Sequence, residues 1–323
     1  MQAIHQTRYG SPDVLSLTET ARPTLGPRDV LVQVEATGVT RGDLRVRAAD
    51  FPGIGRLLGR LVTGLFAPRH TTPGTTFAGR VVEVGAEVTR FAVGDAVFGL
   101  VDHGAYAEAL AMPEDGALAK RPDGYDAARA TTLPYGAATA RTFLVELAQV
   151  QPGERVAVIG ASGEVGRFAV ALARHLGAEV TAIASRDFAQ LETLGAHRVI
   201  DRTKEDPFAE RDRYDVVFDT STVHHFARAR RALSPTGRYL TLHLTVGILG
   251  RMLWTKLRGG VRALFGISLP DAEAIEDVAR LADAGAFKPV VAQRFPLAQA
   301  PAAHALVEAG SLAGSVVLEL RAA

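Results

Sequence analysis

Residues 155–180 read RVAVIGASGEVGRFAVALARHLGAEV, and this stretch decides the fold class of the chain. Its first five residues form an apolar run typical of a buried strand. After a glycine-containing turn, apolar residues recur at helical spacing from Glu164 to Leu176, and Gly177 ends the pattern. The order of strand, turn and helix predicts the first unit of an α/β domain with a parallel sheet.

The same alternation continues towards the carboxyl terminus. Stretches with helical spacing separate further short apolar runs, which predict strands at residues 180–184, 198–200, 215–219 and 238–244. Strands that alternate with helices in this way form a parallel, doubly wound sheet. The sequence therefore predicts a Rossmann fold for this part of the chain.

Residues 1–120 instead alternate short β-branched runs with glycine and proline, which predicts a compact, barrel-like β domain. Short strand patterns return after residue 286, so the carboxyl-terminal tail is expected to rejoin this first domain. Between two of the early runs, residues 51–70 read FPGIGRLLGRLVTGLFAPRH. This segment predicts a short helix or a covering loop, and we expect it to border the substrate.

The composition excludes several classes of function. The chain has 323 residues, 47% of them hydrophobic and 22% charged, which is enough for a large core in two domains. Its net charge of +1 offers no broad field for nucleic acid or an acidic membrane, so neither is an expected partner. The most apolar stretch, 239–253, is interrupted by polar residues and glycines and predicts no spanning helix. The amino-terminal residues resemble no secretory signal, which favours a cytoplasmic location.

The turn after the first Rossmann strand has the features of a dinucleotide site. Ala161, Gly163 and Gly166 occupy the three positions of a G-x-G-x-x-G fingerprint, with alanine in place of the first glycine. Gly163 lets the backbone approach a pyrophosphate, and Gly166 lets the helix and sheet pack closely. The predicted cofactor-binding residues of this turn are Ser162, Gly163, Glu164, Val165 and Gly166. The alternative is a turn that serves only packing, and the Glu164 carboxylate would repel phosphate unless it points to solvent.

The end of the second Rossmann strand distinguishes NAD from NADP. An acidic residue there would bond the ribose 2′-hydroxyl, whereas this strand ends in Ala184, Ser185 and Arg186, which suit a 2′-phosphate. Arg202, after the third strand, adds positive charge near the adenine ribose, and Leu242, in a later strand, is also predicted to border the cofactor. The expected cofactor is NADPH; the alternative is that Arg186 is a solvated surface charge.

Several further motifs occur in the order found in one protein family: ATGVTRGD at 36–43, PGTTFAGRVVEVGAEVTRFAVGDAVFG at 73–99, LPYGAATA at 133–140 and GSVVLEL at 314–320. With the glycine turn, they make the chain resemble the medium-chain dehydrogenase/reductase superfamily. The resemblance implies a GroES-like β-barrel catalytic domain at residues 1–125, completed by 287–323, and a Rossmann cofactor domain at 126–286. It places the active-site cleft between them, and relatives of this kind are commonly homodimers.

The zinc ligands of the alcohol dehydrogenases in this superfamily are missing. Those enzymes usually carry cysteine, histidine and glutamate where this chain has Thr40, Thr75 and Thr76, and the chain contains no cysteine. The resemblance therefore narrows to the zinc-free branch of quinone oxidoreductases, enone reductases and enoyl reductases. It implies NADPH-dependent hydride transfer to a small-molecule quinone or to the C=C bond of an α,β-unsaturated carbonyl.

Candidate catalytic residues are few. Tyr135, in the segment that the resemblance places beside the cleft, is either a hydrogen-bond donor to a carbonyl or a packing residue. His243 would lie at the carboxyl edge of the sheet, where α/β folds bind ligands, or be structural. The hydroxyl of Thr40 is a third candidate. Phe51, the predicted substrate-pocket residue, stands where many quinone reductases have a tyrosine near the nicotinamide.

Two alternatives to quinone or enone reduction remain open at this point. One is enoyl reduction or another dedicated biosynthetic reduction, and the other is an NADPH-binding sensor or structural protein, because a fold alone does not establish chemistry. The arginines Arg41, Arg45 and Arg47 form either a solvated face or an anion-binding group.

Overall fold

A computed structural model describes residues 1–51, 55–221, 226–269, 271–310 and 312–320. Its strands are β1 (Gln2–His5), β2 (Ser16–Glu19), β3 (Asp29–Val39), β4 (Thr76–Val84), β5 (Ala96–Leu100), β6 (Ala109–Pro113), β7 (Leu118–Lys120), β8 (Arg155–Ile159), β9 (Glu179–Ala184), β10 (Arg198–Asp201), β11 (Tyr214–Asp219), β12 (Leu233–Thr241), β13 (Arg262–Phe265), β14 (Val291–Pro296) and β15 (Ser315–Glu319). Its α-helices are α1 (Arg41–Ala48), α2 (Gly55–Thr63), α3 (Ala127–Ala130), α4 (Leu133–Arg141), α5 (Glu164–His175), α6 (Phe188–Thr193), α7 (Phe226–Ala229), α8 (Val246–Arg258), α9 (Ala272–Asp283) and α10 (Ala300–Ala309). Helices alternate with strands mainly from β8 to β13.

The predicted doubly wound sheet is confirmed. Strands β10, β9, β8, β11, β12 and β13 lie side by side in that order, and each pairs with its neighbour in parallel. Val156, Val158 and Phe218 of the central strands are fully buried, as expected when helices cover both faces of a parallel sheet. The strand order reverses beside β8, so the carboxyl end of that strand is the topological switch point where such folds bind ligands.

A second, seven-stranded sheet belongs to the GroES-like part of the chain. Its order is β14, β15, β3, β4, β5 and β7, with β6 also paired to β3. The strand β15 pairs antiparallel with β3, so the carboxyl-terminal tail joins the amino-terminal strands as the sequence predicts. The domain boundaries at residues 125 and 287 stay predictions.

Two elements differ from the sequence-based expectations. Helix α8 was not predicted, although Val246, Leu249, Leu253 and Leu257 have helical spacing and Thr245 caps the helix by accepting from the Ile248 N–H. The turn predicted at residues 234–237 interrupts β12 instead of preceding it. Leu233 pairs with Tyr214, and the register then shifts to Arg238 opposite Val216, so the turn residues bulge from the strand.

Within the described ranges, every helix is too short or too polar to cross a bilayer.

Candidate active site

A cavity of about 930 Å³ lies at the carboxyl edge of the parallel sheet. It is bordered by the residues that follow β8, β9 and β12 and, from the other side, by one face of helix α1. Ligand cavities in proteins measure roughly 300–1,000 Å³, so this one has room for an extended ligand such as a dinucleotide. The predicted residues that line it are Tyr135, Ser162, Gly163, Glu164, Val165, Ser185, Arg186, Arg202, Leu242 and His243.

The glycine turn differs in one respect from the predicted fingerprint. Gly160, not position 161, makes the tight turn: its φ is +75°, and an added Cβ would lie 2.7 Å from the Thr220 Oγ1. Gly166 lies behind the cavity, because a Cβ there would approach the Gly160 carbonyl oxygen to 2.2 Å. Gly163 is exposed to the cavity, and its own Cβ would meet only that carbonyl oxygen, at 3.1 Å. Gly160 therefore makes the tight turn, Gly166 allows the close packing, and Gly163 leaves the backbone open to a ligand.

Glu164 begins α5 at the cavity wall, so its carboxyl group lies beside the expected phosphate position. Burial raises the pKa of this carboxyl to about 7, while the nearby Arg167 guanidinium acts in the opposite direction. The backbone of Arg41, at the first position of α1, hydrogen-bonds the same carboxyl. Glu164 thus connects the N-terminus of α5 to the N-terminus of α1 and does not point to bulk solvent.

Four polar side chains line the cavity where β8, β9 and β10 end: Ser162, Ser185, Arg186 and Arg202. Ser162 is buried, and its Oγ donates to the backbone oxygen of Arg186 at 2.8 Å, which fixes the end of β9 against the glycine turn. Ser185 and Arg186 are exposed to the cavity, and the Arg186 guanidinium contacts the Gly310 carbonyl and, at 3.4 Å, the Asp187 carboxylate. Arg202 also lines the cavity, and its guanidinium forms no ion pair with any residue that the structure describes.

Tyr135, His243 and Arg45 form a second group in the cavity lining. Burial, aided by the Glu164 charge, raises the pKa of the Tyr135 phenol to about 12, so the hydroxyl keeps its proton at neutral pH. Burial, aided by Arg45, lowers the pKa of the His243 imidazole to about 4, so this ring is neutral. The Nδ1 of His243 is buried without a hydrogen-bond partner in the described part of the chain. The fixed positive charges near these two groups come from Arg45 and, for Tyr135, also from Arg41.

Thr40 belongs to a buried, hydrogen-bonded group of residues that lies outside the cavity lining. Its Oγ1 donates to the Asp43 carboxylate at 2.7 Å and accepts from the Asp43 N–H at 3.1 Å, which caps α1. Thr75 Oγ1 donates to the other Asp43 oxygen at 2.9 Å, and Thr76 Oγ1 accepts from the Gly38 N–H at 3.1 Å. The hydroxyl proton of Thr40 is therefore held by Asp43 and does not point into the cavity as a donor to a substrate.

Phe51 also lies outside the cavity lining. Its ring packs on Gly59 of α2, where an added Cβ would approach the ring to 2.3 Å. The neighbouring Asp50 lines the cavity in its place. Among its described residues, none of the segment 51–70 lines the cavity, so its position beside the substrate stays a prediction; residues 52–54 lie outside the described residues.

One cluster of potential metal ligands lies away from the cavity lining. His70, Asp102 and His103 have ligand atoms within 4.8 Å of one another. The two imidazoles stack face to face, with centroids 3.5 Å apart and an angle of 15° between their planes. In-plane nitrogen lone pairs of parallel rings do not converge on one point, so this arrangement does not form a coordination site as it stands.

Sequence reasoning left the role of the α1 arginines open. Arg41 and Arg45 both line the cavity, because α1 begins at the Thr40 cap and residues four apart share a helix face. Arg47 instead lies on the buried face, where it pairs with Glu308 and approaches His304 Nδ1 at 3.4 Å. The capping pattern TRGD at residues 40–43 could have shown where α1 begins, and therefore which arginines face the cavity.

Comparisons with known proteins establish the family. Residues 26–123 match the family described as "Alcohol dehydrogenase GroES-like domain", and residues 194–318 match "Zinc-binding dehydrogenase". A zinc-type alcohol dehydrogenase-like protein, C16A3.02c of Schizosaccharomyces pombe, is 32% identical over 253 residues, which cover 73% of this chain and 70% of that protein. The chain belongs to the medium-chain dehydrogenase/reductase superfamily.

Two further relatives of this medium-chain dehydrogenase/reductase match it over almost its whole length. The NAD(P)H oxidoreductase RTN4IP1, mitochondrial, of Danio rerio is 27% identical over 348 residues, covering 97% of this chain and 89% of that protein. The structure of the quinone oxidoreductase from Coxiella burnetii superimposes with a TM-score of 0.84 at 27% identity, over 99% of both chains. The superfamily member is accordingly an oxidoreductase of a nicotinamide-dependent family, and the predicted resemblance is confirmed.

Proposed function

We propose that this protein uses NADPH, without zinc, to reduce a quinone or the C=C bond of an α,β-unsaturated carbonyl. The observation that carries the proposal is that Thr40, Thr75 and Thr76 stand at the positions where zinc enzymes of the superfamily usually carry cysteine, histidine and glutamate. Hydroxyl groups replace the thiolate, imidazole and carboxylate ligands there: those of Thr40 and Thr75 donate to the buried Asp43 carboxylate, and that of Thr76 accepts from the Gly38 N–H. These residues do not fit a catalytic zinc ion, whose ligands are thiolate, imidazole or carboxylate groups.

The remaining residues suit reduction of a conjugated carbonyl. A bound nicotinamide would supply a hydride to the substrate carbon, which leaves negative charge on the substrate oxygen. The neutral hydroxyl of Tyr135 donates a hydrogen bond to that oxygen, and the Arg45 guanidinium stabilises the developing charge. Because His243 is neutral at pH 7, it contributes a hydrogen bond and no charge. Water supplies the final proton.

The proposal also includes NADPH as the cofactor and a homodimer as the assembly. Ser185, Arg186 and Arg202 provide a hydroxyl and two guanidinium groups where a 2′-phosphate is expected, and this supports NADPH over NADH. The homodimer, the cytoplasmic location and the domain boundaries stay predictions from the sequence and its family resemblance.

A substrate panel tests the proposed reaction. NADPH oxidation is expected with small quinones and with enals or enones, and activity is expected to survive prolonged dialysis against a zinc chelator. Tight NADPH binding without turnover on any member of the panel would instead support the sensor alternative. Much faster turnover of extended enoyl thioesters than of quinones would assign a dedicated enoyl reductase.

Substitution of Tyr135 by phenylalanine tests the role of its hydroxyl. We expect kcat to fall by about tenfold, the size of one charge-assisted hydrogen bond, while the KM for NADPH changes little. The ring packs on Gly42, where an added Cβ would lie 3.1 Å from Tyr135 Cε2, and phenylalanine keeps this contact. An unchanged kcat would assign Tyr135 to packing alone.

A further inference from the structure

Arg167, at the end of the first turn of α5, is a buried cation that the proposed reaction does not use. The residue is 8% exposed, and its guanidinium donates one hydrogen bond, from Nη1 to the Ser162 backbone oxygen at 3.1 Å. A guanidinium has five N–H donors, and this one forms no ion pair within the described ranges. A buried charge without an opposite charge costs free energy, which a ligand of opposite charge offsets.

Arg167 lines a small side cavity behind the glycine turn, with a volume of about 70 Å³. This side cavity shares part of its wall with the large cavity, namely Arg41, Ser162, Gly163, Glu164 and Arg186. At about 30 Å³ per water molecule in the liquid, it has room for roughly two waters, or for one phosphate group in their place. The two cavities therefore meet at the glycine turn.

Three guanidinium groups converge on the side cavity. A Cβ added to Gly310 would lie 3.1 Å from Arg41 Nη2, and Arg186 Nη1 contacts the Gly310 carbonyl oxygen, so both groups lie beside the same residue. Burial lowers the pKa of the Arg167 guanidinium, and the Arg186 charge acts in the same direction. These cations are close enough to repel one another, and an anion bound between them removes the repulsion.

The acidic groups around the side cavity do not neutralise these cations. The Asp187 carboxylate pairs with Arg186, with Oδ2 and Nε 3.4 Å apart. Glu164 and Asp187 both oppose the effect of burial on the Arg167 pKa, but neither forms an ion pair with Arg167. Burial raises the pKa of the Glu164 carboxyl to about 7, so this group carries about half a charge at neutral pH. The side cavity therefore keeps an excess of positive charge.

The N-terminus of α5 adds hydrogen-bond donors at the same place. Gly163 is the N-cap of this 12-residue helix and has no side chain that could accept from the first N–H groups. Such a helix end carries partial positive charge and binds phosphate oxygens. Arg167 supplies beside it a planar pair of donors, which matches two oxygens of one phosphate group.

We propose that the side cavity binds a phosphate group, with Arg167 as its buried ligand and Arg41 as a second cation. Two sources present this chemistry: the diphosphate of a dinucleotide bound at the glycine turn, and a free phosphate ion. The first source rests on the proposed NADPH-dependent function, whereas the second is independent of it.

Three small probes test the side cavity without any turnover. ADP carries a diphosphate and no 2′-phosphate, 2′-AMP carries the reverse, and inorganic phosphate carries no nucleoside. Arg167→Met removes the charge and keeps a long apolar side chain. We expect it to weaken the binding of ADP, of inorganic phosphate or of both by about tenfold or more, because hydrogen bonds to a charged group are lost. The affinity for 2′-AMP should stay unchanged.

Two further variants serve as controls. Arg174→Met is the same substitution at an exposed arginine two turns further along α5, which lines neither cavity. Arg167→Lys keeps the charge without the planar pair of donors, so it should recover part of the lost affinity. The rise in melting temperature on addition of each probe is recorded beside the Kd, because this rise reports binding even in a variant whose own stability is lower.

The outcomes distinguish the two sources from an error in the proposal. Equal weakening of ADP, NADPH and NADH in Arg167→Met, with phosphate competing against ADP, assigns the side cavity to the cofactor diphosphate. Phosphate that binds beside saturating NADPH, and no longer does so in Arg167→Met, assigns it to a free ion. Wild-type protein that binds neither ADP nor phosphate, unchanged binding in Arg167→Met, or an equal loss in Arg174→Met overturns the site. Failure to oxidise NADPH with any quinone or enone, while these binding results hold, counts against the proposed function alone.

Discussion

Replacement of Arg186 and Arg202 together by alanine is expected to weaken NADPH binding by about 100-fold or more, with little change for NADH. Hydrogen bonds to charged groups contribute about 1.5 to 3 kcal/mol each, and a 2′-phosphate would receive at least one from each guanidinium. NADH lacks this phosphate, so it loses only the weak long-range attraction of two charges. Binding of both cofactors, measured by fluorescence titration or calorimetry, gives the ratio directly.

The single variants Arg186→Ala and Arg202→Ala are expected to account for unequal parts of the loss in NADPH affinity. Arg186 already contacts the Gly310 carbonyl and Asp187, so its guanidinium must exchange those partners for the phosphate. Arg202 has no such competing ion pair among the described residues, and we expect Arg202→Ala to have the larger effect. Arg211→Ala is the matched control, because this exposed arginine lies outside the cavity lining. Equal losses for NADPH and NADH in the double variant would contradict the assignment of the 2′-phosphate site.

The sequence predicts the architecture well because that architecture follows from local patterns. The β8 turn and α5 combine an apolar run, glycines and helical spacing within 26 residues, and each signal is independent of the rest of the fold. The same is true of Ser185 and Arg186, whose position at the end of a strand already places them at the sheet edge. Both line the cavity together with the glycine turn.

Residues whose role depends on contacts between distant segments were harder to interpret. Thr40 carries a hydroxyl at a family catalytic position, but this hydroxyl donates to the buried Asp43 carboxylate, as does that of Thr75. Phe51 packs on Gly59, a contact set by the course of α2. Gly160 was overlooked because the fingerprint was aligned one residue later, and only the φ of +75° identifies it as the turn residue.

Glu164 is a residue whose protonation depends on burial and on a contact with a distant segment, α1. From the sequence, its carboxylate either repelled phosphate or pointed to solvent. In the structure it lines the cavity, the Arg41 backbone hydrogen-bonds it, and burial brings its pKa to about 7. The group therefore changes charge within the physiological range, at the N-terminus where a pyrophosphate is expected to bind.

Cofactor affinity should consequently depend on pH. Below pH 7 the Glu164 carboxyl is mostly neutral and accepts a neighbouring phosphate without repulsion, whereas above pH 7 the carboxylate must take up a proton before the cofactor binds. A binding site that takes up one proton loses about tenfold in affinity per pH unit above the pKa of the group, so the Kd for NADPH should rise by up to about 50-fold from pH 7 to pH 9. Titrations at several pH values measure this slope.

The variant Glu164→Gln isolates the carboxyl group. It keeps the shape of the side chain but has no titrating proton, so its Kd is expected to stay nearly constant between pH 7 and pH 9 and to lie below that of the wild type at pH 9. Asp50→Asn is the control, since it removes another carboxylate from the same cavity and should leave the pH slope intact. A slope that persists in Glu164→Gln would mean that another group takes up the proton. The Glu164 carboxyl would then bridge α5 and α1 without setting the affinity for the cofactor.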